Sequence, residues 1–155
     1  MRVTPMSAGD LSSVIGLESL AFKNPWGMPA FIGELACNNA YNFVLRSPEH
    51  RLIAYICLRL IVNELHVLKI AVNDAYRQQG IASQFFSQCL AEIPEAFDLA
   101  FLEVRPANLA GIRLYRKLGF VLWGRRPGYY LHTGQDALIM GKIFKGGSYG
   151  SEDSD

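Results

Sequence analysis

The chain of 155 residues is 50% hydrophobic, enough for one domain to bury a sizeable core, and its 15 basic and 14 acidic residues leave a formal charge of +1. That balance gives no reason to expect general nucleic-acid or membrane-surface binding, although a local basic patch stays open. Cys37, Cys57 and Cys89 are odd in number and far apart, with no C-x-x-C pair, so neither a zinc site nor a disulfide framework is expected.

Polar residues and Pro5 interrupt the start, so no signal peptide is read there. Arg2 to Pro5 suits a short strand. Asp10 is a plausible N-cap for a helix reaching about Phe22, with Leu11, Val14, Ile15, Leu17 and Leu20 apolar along it. Asn24-Pro25-Trp26-Gly27 breaks that helix, and Pro29 opens a second one ending near Asn38-Asn39. Strands follow at Tyr41 to Arg46, Leu52 to Ile61 and Leu65 to Val72, joined by short turns, which argues for an antiparallel meander. The apolar run from Leu52 to Val62 contains Arg59 and is too short to cross a bilayer. A soluble, cytoplasmic protein is expected.

After Gly80 a helix runs to about Ile93, and Pro94 ends it. A strand from Leu99 to Arg105 follows, then a helix from Asn108 to Leu118, closed by Gly119. Phe120 to Gly124 and Ala137 to Phe144 read as a last strand pair, with Arg125 to Asp136 as a long loop. The strand–helix–strand passage from Leu68 to Arg105 predicts two parallel strands by right-handed crossover. The expected fold is therefore a mixed α/β sheet with helices on both faces, in one domain over residues 1–144. The Gly/Ser-rich, acidic stretch 145–155 is expected to be a disordered tail.

Two features point to chemistry. The turn Arg77-Gln78-Gln79-Gly80-Ile81-Ala82 opens a helix, so it offers unpaired N–H groups and the positive end of a helix dipole to a pyrophosphate. It is neither a Walker A loop nor a dinucleotide fingerprint. Taken alone, it is also what an ordinary polar loop into an amphipathic helix looks like. The second feature is a possible acid–base pair. Strand alternation places Phe101, Glu103 and Arg105 on one face, opposite Leu102 and Val104. Glu103 there is either a base or a member of an ion pair with Arg105 or a neighbouring strand. Tyr115, on one helix face with Asn108 and Ile112, is either an acid or a core tyrosine.

Taken together, Ile70-Ala71-Val72, Tyr76 to Ala82, Leu102-Glu103-Val104-Arg105, Asn108, Leu114-Tyr115, Leu118-Gly119-Phe120, Arg126 to Tyr130 and Asp136 to Met140 resemble the GNAT N-acetyltransferases. The pattern is most similar to their ribosomal-protein-alanine branch and spans about Met1 to Ile143. The resemblance implies a central, mostly antiparallel sheet with one parallel pair, and acetyl-CoA as co-substrate without a metal. Backbone groups of Ile70, Ala71 and Val72 would hold the pantetheine arm. The turn through Arg77, Gln78, Gln79, Gly80, Ile81, Ala82 and Ser83 would hold the pyrophosphate, and Asn108 would touch the cofactor. Glu103 carries over as general base and Tyr115 as general acid. Ala82 replaces a frequent second glycine, and Ser83 a frequent arginine. The implied acceptor is a protein N-terminus, that of a ribosomal protein, with no direct nucleic-acid or membrane partner. Trp26, Tyr129 and Tyr130 lie on loops where an acceptor peptide would bind, or else cap the core. A lysine or small-amine acceptor, and a non-catalytic acetyl-CoA-binding subunit, remain alternatives.

Overall fold

A computed structural model describes residues 1–77, 79–130 and 133–144. Gln78 and the tail 145–155 lie outside the described residues. Among the described residues the strands are β1 (Arg2–Pro5), β2 (Ala40–Arg46), β3 (Leu52–Ile61), β4 (Glu64–Val72), β5 (Leu99–Val104), β6 (Val121–Tyr130) and β7 (Gln135–Ile143). The α-helices are α1 (Leu11–Ala21), α2 (Met28–Leu35), α3 (Ile81–Ala91) and α4 (Leu109–Lys117). The strands form a seven-stranded sheet in the order β1-β2-β3-β4-β5-β7-β6. The expected mixed α/β architecture is present. By contacts the chain divides into two compact units: Met1–Arg59 with Leu68–Pro94, and Leu60–Val67 with the chain from Glu95 onward.

In the first unit β1, β2 and β3 pair antiparallel. β3 reads as a nearly unbroken apolar run because Leu52 to Leu58 are all buried, as a central strand covered on both faces requires. Leu11, Val14 and Leu17 of α1 and Phe31 of α2 join Val44 and Tyr55 in one core cluster. Leu20, apolar in the α1 pattern, is 87% exposed instead, because it falls off the Leu11–Val14–Leu17 stripe. Asp10 stands at the N-cap position of α1 without capping it. Its carboxylate instead accepts the Ser7 backbone N–H at 2.8 Å and pairs with Arg46 at 2.8 Å. Burial alone would raise that carboxyl; the Ser7 and Arg46 bonds outweigh it and hold it below the usual range.

α1 also buries Glu18 completely. The carboxylate is held on both oxygens: it accepts the Trp26 backbone N–H at 2.7 Å, the Lys69 ammonium at 2.8 Å and the Tyr55 hydroxyl. Lys69 Nζ also sits 3.8 Å from the centre of the Phe22 ring.

In the second unit, the start of β4 runs parallel to β5 over Glu64–Leu99, Leu65–Ala100 and His66–Phe101, as the crossover predicts. β7 pairs antiparallel with β5 and with β6. The long loop expected over Arg125 to Asp136 is mostly strand. β6 continues past Gly124 to Tyr130, with register shifts between Leu122 and Gly124 and between Arg126 and Tyr130. Pro127 is tolerated because β6 is an edge strand, and Gly128 takes φ +62. Asp136 fixes this stretch by accepting the Gly128 N–H at 3.0 Å and pairing with Arg125 at 2.8 Å. Val62, in the turn between β3 and β4, adopts φ +58, an unusual conformation for a β-branched residue.

Candidate active site

β5 alternates as its sequence predicts: Ala100, Leu102 and Val104 are buried, and Phe101, Glu103 and Arg105 occupy the other face. The Glu103 side chain is 11% exposed, and its Oε1 lies 2.6 Å from Nε2 of His66. The contact is a diagonal one, because His66 is in register with Phe101, two residues before Glu103. The imidazole stacks on the Phe101 ring, with centroids 4.4 Å apart and planes 9° from parallel. His66 was not singled out from the sequence. Only the strand register reveals it, since nothing local links position 66 to position 103.

Arg105, the other partner considered for Glu103, lies over the Tyr130 ring instead, 4.4 Å from its centroid. Arg126 similarly lies 5.2 Å from the centroid of Tyr129, and the two tyrosine rings meet edge to face at 5.0 Å. Burial and the negative charge of Glu103 push both phenols upward, with Arg126 opposing at Tyr129 and Arg105 at Tyr130. Tyr115, on α4, is half-buried and packs edge to face on Phe120 at 6.2 Å. Burial, with a smaller contribution from Tyr130, pushes its hydroxyl up to about 12. The second unit thus brings together Glu103, Tyr115, Tyr129 and Tyr130, and adds His66. Asn108 N-caps α4: its Oδ1 accepts the Gly111 N–H at 2.9 Å, which leaves the carboxamide nitrogen for another contact.

In the first unit, Gly80 is the N-cap of α3 at φ +73, a left-handed conformation that glycine adopts without strain. Among the described residues no side chain caps this helix, so the first N–H groups, from Ile81 to Ser83, have no capping partner there. Arg77 is folded onto its own loop, donating from Nε to the Val72 carbonyl at 3.1 Å and pairing with Asp74 at 2.9 Å. Gln79 donates to the Ala75 carbonyl at 3.5 Å. Ile70, Ala71 and Val72 have buried side chains, so only their main chain is available to a ligand. Trp26 packs edge-on against Phe31 at 5.3 Å while its backbone N–H is held by Glu18. The Cys57 and Cys89 thiols are buried, and burial pushes both upward. Among the described residues no group of three or more His, Cys, Asp or Glu is placed to hold a metal.

A family model, that of the acetyltransferase (GNAT) family, matches residues 11–120. The chain belongs to this family. It is accordingly an acyltransferase. A Bacillus subtilis (strain 168) protein provisionally named a ribosomal protein bS18-alanine N-acetyltransferase is 30% identical over 140 residues, covering 89% of this chain and 92% of its own. The crystal structure of the ribosomal-protein-S18-alanine N-acetyltransferase from Escherichia coli superposes with a TM-score of 0.78, at 27% identity and over 92% of each chain. Arabidopsis thaliana NAA60, solved in complex with acetyl-CoA, shares the GNAT fold with a TM-score of 0.77 at 18% identity, over 92% of this chain and 99% of its own. The likeness to GNAT enzymes therefore extends well beyond the residues that the family model covers. Among the described residues no helix is long and apolar enough to cross a membrane.

Proposed function

We propose that this GNAT enzyme moves an acetyl group from acetyl-CoA to the α-amine of a protein, the N-terminal alanine of a ribosomal protein, with Glu103 as base and Tyr115 as acid. The observation that carries the reading is the Glu103 carboxylate. It stands little exposed on β5, within electrostatic reach of Tyr129 and Tyr130. The names of the bacterial relatives supply the acceptor class.

The chain suits the co-substrate. The N–H groups at the start of α3 match a pyrophosphate, and the left-handed Gly80 has open space where a Cβ would stand. Ser83, exposed on the first turn, adds a hydroxyl. The parallel ladder ends at His66, before Ile70 is reached, so the main chain of Ile70, Ala71 and Val72 is outside it and suits an extended pantetheine arm. The spare carboxamide nitrogen of Asn108 is a further donor to the cofactor. Arg77 and Gln79 each spend part of their donors on their own loop and keep N–H groups for an oxyanion, and Gln78 is proposed as a further donor.

When bound, acetyl-CoA supplies the thioester and its thiol leaving group. Glu103 takes the proton of the incoming amine, directly or through one water. Tyr115 Oη, neutral at physiological pH, donates to the departing sulfur. Trp26, Tyr129 and Tyr130 hold the acceptor peptide. An α-amine has a pKa of about 7.7–8.0 against about 10.4 for lysine, so its deprotonation is easier by about 3.4 kcal/mol. A carboxylate base therefore favours an N-terminus. We assign residues 1–144 to one acetyltransferase domain acting in the cytoplasm.

The test is acetyl transfer from acetyl-CoA to short peptides, read by mass spectrometry. A peptide with a free N-terminal alanine should be acetylated, and one with a blocked N-terminus and an internal lysine should not. The reverse preference would identify a lysine or small-amine enzyme. Cofactor binding without transfer to any amine would mark a non-catalytic subunit.

A further inference from the structure

We propose that His66 is a positioning residue for the base: its Nε2–H donates to Oε1 of Glu103 and leaves Oε2 to meet the amine. The inference deepens the reading of Glu103 as base and rests on it. Three observations carry it. The Nε2–Oε1 separation of 2.6 Å is that of a short, charge-assisted bond. With Glu103 ionised, the nitrogen at that distance must carry the proton, because two lone pairs would repel. The ring is held against rotation by its parallel stack on Phe101, so the donor direction is fixed by two strands in register. Among the described residues, Arg105, two positions along β5 on the same face, is engaged over the Tyr130 ring and not paired with Glu103.

A carboxylate on a strand face has free rotation about its last torsion. Tying one oxygen to a rigid donor removes that freedom and holds the other oxygen in one direction. Misplacement of a base by about 1 Å is enough to cost about a hundredfold in rate.

The experiment uses the full chain with His66→Ala, His66→Phe and His66→Gln, measuring kcat and the KM for acetyl-CoA on a peptide with a free N-terminal alanine. His66→Phe keeps a flat ring against Phe101 without the donor; His66→Gln keeps an N–H donor without the ring. The expected result is a kcat lower by about tenfold or more in Ala and Phe, as for loss of a bond to a charged group, with most of it recovered in Gln. The KM for acetyl-CoA should stay within about twofold. A wild-type kcat in His66→Phe would overturn the proposal, because stacking alone would then suffice. Imidazole 15N resonances of the wild-type protein give a readout that needs no turnover: those of His66, assigned by their loss in His66→Gln, should move in Glu103→Ala. Unmoved resonances would also overturn it. If the wild-type chain acetylates no α-amine while those resonances do move, the proposed function fails and the His66–Glu103 bond stands.

Discussion

Glu103 and Tyr115 illustrate how surroundings set what a side chain can do. Replacing Glu103 by Gln keeps the shape and removes the proposed base, so kcat should fall by about a hundredfold or more while acetyl-CoA affinity stays nearly intact. Steady-state kinetics over a range of pH check this, and an unchanged pH–rate profile would remove Glu103 from the role. For Tyr115 the sign is different. Burial favours the neutral phenol in the folded chain, raising its pKa from about 10 to about 12. Its contribution to stability is therefore complete below pH 10 and is lost as the pH climbs from 10 towards 12, by an amount on the order of 2 kcal/mol. Denaturant unfolding across that window should show a shallower loss in Tyr115→Phe than in the wild type.

Elements carry their own tests. The turn between β3 and β4 holds Val62 at φ +58 with its side chain 88% exposed, so strain there is unrelieved by packing. Val62→Asn should stabilise the protein by about 1 kcal/mol, seen as a higher denaturant midpoint with an unchanged slope. α1 makes the opposite point. Glu18→Ala removes the ion-pair partner of a mostly buried Lys69 and the acceptor of the Trp26 N–H, so a loss of about 3–5 kcal/mol is expected in the same measurement. These elements also separate what is local from what is not. α1, α3, β3 and β5 follow from apolar period, Gly80 and strand alternation, all readable along the chain. The extension of β6 to Tyr130 was hidden, because Pro127-Gly128 reads as a loop until pairing with β7 at Arg125–Leu138 and Arg126–Ala137 is known. The Glu18–Lys69 and His66–Glu103 pairs were hidden for the same reason: each joins residues far apart in sequence whose meeting depends on register and packing.

At the scale of the molecule, the nearly neutral charge and the GNAT family match agree with an enzyme that recognises its acceptor by a site, not by broad electrostatic attraction. The acceptor itself leaves no mark in composition or period; it enters through the relatives' names and through the chemistry of an α-amine facing a carboxylate. The measurement that tests this most directly compares protein N-termini and lysine side chains, by mass spectrometry, in cells with and without this protein. Loss of acetylation at an N-terminal alanine of a ribosomal protein, with lysines unaffected, is the predicted result. Acetylation lost from lysines while every N-terminus stays as it was would contradict the account.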